Sequence, residues 1–311
     1  MLFACFFGVE VSSTERQLFS LPLQFGGLGI FNPVAMSDYC YDSSVHSTLL
    51  LRKSILGSVT FELDAHIDTV QSAKHFDRQH KFDHYTAVFD QLINMFDSLQ
   101  QWAILRAKDL NLSFWLSVVP LETHHLDLSP QEFRDTLALC YKKPLLDLPP
   151  LCDSCGAPFT IEHALDCHVG GLVGQRHNEV RDSVGNLAWG QVTKEPIICE
   201  SSPPDPSGVT LIVDLRVCGV CQPQVDVLFD VRVIDTDAPF YCSRSPQAVL
   251  SSAEAEKKRK HREVCLARHA GFTPLCFSID GMLGTEADFF LRRLADRLSA
   301  KWERSYSPVI G

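Results

Sequence analysis

Cys152-x2-Cys155-x7-His163-x3-Cys167 packs four strong metal-binding side chains into a stretch too short to bury a core of its own. Such a segment must either fold around an ion or leave its thiols idle. Two thiolates three positions apart can hold one side of a tetrahedral zinc from a tight turn, and Gly156 suits that turn. His163 and Cys167 stand four apart, so a helix would present both on one face and close the site. His168 is the alternative fourth ligand. The competing reading is a set of unrelated thiol and imidazole positions; two ligand pairs at these spacings favour structural zinc with no open position. Cys218-x2-Cys221 brackets Gly219 but has no following pair, so it reads as a turn with incidental cysteines. His66, His75, His80 and His84 lack an identifiable third ligand partner and read as a polar helix face.

The rest of the chain has room for a sizeable core. It holds 311 residues, 45% apolar and 21% charged, which fits a folded protein with two domains. The apolar run Met1–Val9 is far shorter than the roughly eighteen residues of a membrane span and lacks a basic lead-in. The expectation is therefore no signal peptide, no membrane anchor and no membrane partner. In that setting the twelve cysteines point to metal before disulfides. A net charge of −10 excludes a protein that merely coats nucleic acid, but leaves room for a nuclease with local basic patches.

Residues 1–150 read as helical. Pro33 opens a helix running through Val45, Leu49, Leu50 and Ile55 towards Gly57. Val88, Leu92, Ile93, Phe96, Leu99 and Ile104 recur at helical steps, and Ser129-Pro130-Gln131-Glu132 is a helix start. Gly26-Gly27-Leu28-Gly29 reads as a turn rather than a dinucleotide fingerprint, because no strand precedes it. Pro144, Pro149 and Pro150 mark a boundary, followed by the cysteine turn at 151–170 and a second domain at 171–311. There a helix over 172–188 precedes strands at Val192–Cys199, Val209–Val217 and Val225–Ile234. A charged helix over 247–270, a strand at Thr273–Ile279 and a last helix opening with Thr285-Glu286-Ala287-Asp288 complete it. The order αβββαβ predicts an α/β domain with a mixed sheet and helices on its faces.

Asp214 and Asp230 interrupt two apolar strands, where a carboxylate is costly unless it is paired or holds a metal. Two on consecutive strands can converge on one Mg²⁺. Glu254, Lys257, Lys258 and His261 share a face of the next helix, and a lysine from it can offset charge at a scissile phosphate. Two carboxylates, one metal and one lysine suit phosphodiester hydrolysis. The alternatives are strand-wise pairing of the two aspartates with Arg216 and Arg232, and a solvated or nuclear-localising helix face at Lys257–Arg262.

Three stretches together resemble LINE-type, non-LTR retrotransposon proteins. LPLQFGGLGI at Leu21–Ile30 is similar to the segment after their polymerase core. Cys152–Asp182 resembles their zinc knuckle and the Arg176-His177-Asn178 motif beyond it; Phe229–Val233 and Glu254–Lys260 resemble their restriction-like endonuclease of the PD-(D/E)XK superfamily. The resemblance implies a domain that nicks DNA to prime reverse transcription, with DNA and the element's RNA as partners and a nuclear or nucleocytoplasmic location. It assigns Asp214 and Asp230 to Mg²⁺, Lys257 to catalysis with Lys258 and Lys260 as substitutes, and Glu195 to the upstream acidic position. Arg176, His177, Lys258 and Lys260 are expected on one basic, nucleic-acid-binding strip. Val213 stands where the superfamily has Pro, Arg232 where it has the strand lysine, and His261 where the family has Tyr. Pro204-Asp205 is a literal match in a Ser/Pro/Gly loop. There is no polymerase palm, so the expectation is a fragment or decayed copy; the alternative function is an inactive, zinc-stabilised nucleic-acid-binding remnant.

Overall fold

The computed structural model describes residues 7–110, 112–118, 120, 127–188, 191–199, 210–220, 224–241 and 244–302. Pro204, Asp205, Cys221 and residue 209 therefore lie outside the described residues. The chain divides into two compact units, 1–146 and 147–311, so the cysteine turn belongs with the α/β residues that follow it.

The first unit is helical: α1 (Ser13–Ser20), α2 (Pro33–Ser47), α3 (Leu49–Ile55), α4 (Leu63–Ile93), α5 (Ser98–Leu110) and α6 (Pro130–Cys140). Ser129 and Glu132 cap α6 reciprocally, and Pro130 occupies its first turn. Phe7 stacks on Phe19 at 4.9 Å, and Tyr141 meets Phe19 edge-on at 4.8 Å, in a core that also buries Phe25, Phe89 and Leu137. The Gly26–Gly29 segment is a turn against this core. A Cβ on Gly27 would fall 2.0 Å from the Leu21 carbonyl oxygen, and Gly26 takes a left-handed φ of +72°. Two helix boundaries differ from the periodicity. Thr48 separates α2 from α3, and the apolar series 88–104 spans two helices because Asp97 accepts from the N–H groups of Leu99 and Gln100, starting α5 afresh. His80 of α4 stacks against Tyr39.

The second unit contains α7 (Ile161–Asp166), α8 (Leu172–Leu187), β1 (Gln191–Lys194), β2 (Ile197–Cys199), β3 (Leu211–Ile212), β4 (Leu215–Cys218), β5 (Asp226–Ile234), α9 (Pro246–Ala267), β6 (Gly271–Ser278) and α10 (Thr285–Trp302). The four-stranded sheet runs β1-β4-β5-β6, with the first two pairings antiparallel and β5–β6 parallel. It is a mixed sheet in an α/β domain, as the element order implies. β5 is central and apolar on both sides. Val227, Phe229 and Val231 face a core shared with Val184 of α8 and Phe290, Leu294 and Leu298 of α10. Leu228 alternates to the other side, against Cys265 of α9. Phe229 and Phe290 lie 4.6 Å apart between ring centres.

The first two expected strands are each broken. Val192–Cys199 divides at Glu195, which has a φ of +50°, and at Pro196, which has no N–H for the ladder. Opposite them, Val213 and Asp214 leave the regular ladder between β3 and β4. The Glu195 N–H still donates to the Asp214 carbonyl at 2.9 Å, so both breaks form one kink. Beyond it, β2 and β3 make a separate two-stranded sheet.

The α10 start also differs in its cap. The Glu254 carboxylate, from α9, accepts the Glu286 N–H at 2.9 Å, replacing a purely local capping box. Gly284 leaves room for it, since a Cβ there would meet the Glu254 Oε1 at 2.2 Å. Glu254→Ala removes that acceptor and is expected to cost about 1–3 kcal/mol of stability by leaving the N–H unsatisfied. Urea unfolding should show a lowered midpoint; an unchanged midpoint would mean that water replaces the carboxylate without loss.

Candidate functional site

Asp214 sits in the kink and Asp230 in the middle of β5, and their carboxyl groups face each other closely enough to share a hydrogen bond. Each is held by neighbours. The Asp214 Oδ1 lies 3.1 Å from His177 Nε2 of α8, and its Oδ2 accepts the Val231 N–H at 2.5 Å. The Asp230 Oδ1 accepts from Lys257 Nζ of α9 at 2.8 Å. On its other oxygen, His261 Nε2 approaches to 3.0 Å but out of alignment, so both nitrogens of this fully buried ring lack a hydrogen-bond partner. His177, Asp214, Asp230, Arg232, Glu256, Lys257 and Lys260 line one open cleft of about 560 Å³.

The electrostatics follow from this crowding. Burial raises Asp230 to about 6; Lys257 pulls it back, and the charge on Asp214 adds to the rise. Burial also pushes Asp214 up, but His177 and the Val231 N–H outweigh it and leave that carboxyl below its ordinary range. Burial, helped by Lys260 and Lys257, lowers His261 to about 4, so it is a neutral ring near pH 7.

Asp214, Asp230, Lys257, His177 and Lys260 are thus brought together, whereas three other expected site residues are engaged elsewhere. Glu195 pairs with Arg181 at 2.6 Å and is not among the residues lining the cleft. Its position in the kink, with left-handed backbone, carries the side chain along α8 instead. Lys258 pairs with Glu286 of α10, because successive residues on a helix point about 100° apart. Arg176 turns to the Leu165 carbonyl oxygen of α7 at 3.5 Å, and of the expected strip only His177 and Lys260 line the cleft. The strand-wise ion pairs do not form either: Arg216 binds Asp226 at 3.2 Å, and Arg232 binds Glu256 at 2.7 Å. The His177–Asp214 contact escaped the sequence reading, since a helix and a kink far apart in the chain must meet to make it. His261 carried a signal in its shared face with Lys257.

The second site is the cysteine turn. The Cys152 N–H donates to the Ala157 carbonyl and the Gly156 N–H to the Cys152 carbonyl, each at 2.8 Å, with Gly156 at a φ of +72°. Thr160 caps α7, and the Cys167 N–H bonds to the His163 carbonyl, which brings His163 and Cys167 to one side. The four ligand atoms of Cys152, Cys155, His163 and Cys167 lie within 4.8 Å of one another and can hold a metal ion. Backbone N–H groups of Cys155 and Ser154, with His163, lower the Cys152 thiol to about 6, so thiolate forms readily. His168 is 81% exposed and turned to Asp166, which leaves Cys167 as the fourth ligand. Among the described residues, no other group of three or more Cys, His, Asp or Glu ligands is gathered this closely, the α4 histidines included. The Cys218 half of the second pair stands at a turn, where Gly219 has a φ of +80°. No helix among the described residues is long and apolar enough to cross a membrane.

Asp230 and His261 give opposite pH signatures. Asp230 is raised in the folded state, so its contribution is complete below about pH 4 and is lost as pH rises through about 6. His261 is lowered, so the unfolded chain binds the extra proton and stability rises with pH between about 4 and 6.5. In the native chain the two slopes oppose. Asp230→Asn should expose a rise in denaturation midpoint from pH 4 to 6.5, and His261→Gln a fall. Equal profiles for both variants would contradict these burial assignments.

No family model matches this chain, and no curated protein matches it significantly, so the chemistry of both sites is argued from their geometry.

Proposed function

We propose that the second unit is a metal-dependent DNA endonuclease of the restriction-like kind, stabilised by a structural zinc and suited to nicking target DNA for primed reverse transcription. The observation that carries this reading is the convergence of the Asp214 and Asp230 carboxyl groups with Lys257 on one open cleft. Two hard oxygen donors facing each other suit Mg²⁺. A divalent cation held there would polarise the scissile phosphate and acidify an attacking water. Lys257, bonded to Asp230, would offset the charge growing on a phosphate bound beside the two aspartates, and Lys260 and Arg232, which line the same cleft, would contact the neighbouring backbone. Val231 and His177 fix the Asp214 rotamer in advance. Glu195, Arg176 and Lys258 play no direct part in this version of the site. A nuclear or nucleocytoplasmic location belongs to the same reading.

The inactive, nucleic-acid-binding remnant is the second reading. It draws on Arg232, a poor proton donor at the strand-lysine position, and on the prior engagement of both aspartates by His177 and Lys257. Nicking of supercoiled plasmid in Mg²⁺ or Mn²⁺ separates the two. The native chain should nick, and Asp230→Asn should abolish nicking while binding to a short duplex changes little. A native chain that binds DNA but never nicks it would establish the remnant.

Zinc is the metal that the cysteine turn suits best. With Zn–S bonds of about 2.3 Å, a tetrahedral site has S···S edges of about 3.8 Å. Cys152 and Cys167 are 3.9 Å apart between sulfurs, and Cys155 and Cys167 4.0 Å. Three thiolates and one imidazole complete a closed, structural donor set. Purified protein should carry about one zinc per chain by elemental analysis. Cys155→Ser should lose it and lower the unfolding temperature, whereas His168→Ala should keep it. Zinc-free protein of native stability would refute the assignment.

A further inference from the structure

From Leu28 to His84 no described residue is buried, although this stretch holds α2, α3 and the greater part of the 31-residue α4. Burial within α4 begins only at Tyr85, with Phe89 and Leu92 beyond it. Helices in water draw most of their stability from packing an apolar face, and these helices carry such faces. Leu63, Ile67 and Val70 recur at helical steps along α4, and Leu51 and Ile55 stand one turn apart on α3. Ile55 and Leu56, where α3 ends, are 77% and 78% exposed, and Val59 and Phe61 are exposed in the turn that follows. A run of exposed apolar side chains this long marks a contact surface.

The charges around the turn select its partner. Arg52 and Lys53 precede it on α3, Asp64 and Asp68 follow it on α4, and all four are exposed. Among the described residues none of the four makes an ion pair. Nucleic acid or an acidic lipid surface would satisfy the two cations and repel the aspartates, and a basic peptide would do the reverse. A second copy of the chain brings both signs. Because the opposite charges flank the apolar turn on its two sides, a two-fold axis through the turn sets each pair against its complement. A groove of about 900 Å³ between α2 and α4 adjoins the turn through Leu49 and Asp68, and Ser43, Ser72 and Ala73 are the small residues along it. It gives large side chains of a facing copy space to enter.

We propose that the α3–α4 turn of the first unit is the interface of a two-fold homodimer. Apolar turn meets apolar turn, and Arg52 and Lys53 of each copy meet Asp64 and Asp68 of the other. The interface lies wholly within residues 1–146 and is independent of the endonuclease reading.

Sedimentation velocity on the full chain, over a range of concentrations, should show reversible association to twice the chain mass. Ile55→Asp combined with Leu56→Asp should abolish it while helicity by circular dichroism is unchanged, because both side chains are exposed in the single chain. Arg52→Glu with Lys53→Glu places like charges across the interface, and so does Asp64→Lys with Asp68→Lys. Either pair should weaken association by about 10- to 100-fold. Mixing the two charge-reversed proteins restores opposite charges at both ends of the interface, so the mixture should associate as the native chain does. A native chain that stays monomeric would overturn the proposal and leave the turn to another protein or to a further segment of a longer chain. Association that survives the two Asp substitutions, or charge-reversed proteins that fail to pair on mixing, would overturn it as well.

Discussion

A carboxyl group on a strand buried from both sides is the constraint around which the α/β unit is arranged. β5 must be central to bury Phe229 and Val231 on one face and Leu228 on the other, yet it carries Asp230 at the same depth. An ionised carboxylate there would cost several kcal/mol if unpaired. Lys257 reaches it from α9 and meets part of this cost, whereas Asp214, facing it from the kink, adds to it, and neutral His261 packs beside it without a hydrogen bond. The compensation is incomplete, which is why Asp230 remains pushed up to about 6. A core that tolerates such a group does so at a place where the cleft opens, and perturbed carboxyls in clefts are where chemistry concentrates.

The kink at Glu195 and Asp214 serves the same end. In an unbroken ladder, Asp214 would alternate with its neighbours and its direction would be set by the pleat alone. Pro196 cannot complete the ladder, so the pairing lapses, the Asp214 backbone turns, and its side chain reaches both His177 and the Val231 N–H. The kink also sends β2 and β3 into their own small sheet, against the side of the core that contains Ile198 and Val213.

The metal turn and the cleft are joined through the start of α8. Gly170 packs where a Cβ would lie 2.8 Å from Ser154 Oγ, and Gly171 takes a left-handed φ of +70° to begin the helix. Arg176 then ties α8 to the Leu165 carbonyl of α7, one residue before His177 meets Asp214.

Local chemistry was readable in the order of residues. The Cys152/Cys155/His163/Cys167 cluster and its turn, the Ser129 capping box, the glycine turn at 26–29 and the αβββαβ order all depend on neighbours within a few positions, where spacing and backbone geometry suffice. The shared helix face of Glu254, Lys257, Lys258 and His261 was equally legible, because 3.6 residues per turn is a property of the backbone. The partner of each member was not. Glu254 caps α10, Lys258 meets Glu286, Lys257 and His261 meet Asp230, Glu195 turns to Arg181, and His177 finds Asp214. Those pairings join elements 14 to 37 residues apart in the chain. They were decided by how the sheet register, the kink and the helix packing placed each side chain, because a charged group can choose only among the partners that tertiary structure brings within about 4 Å.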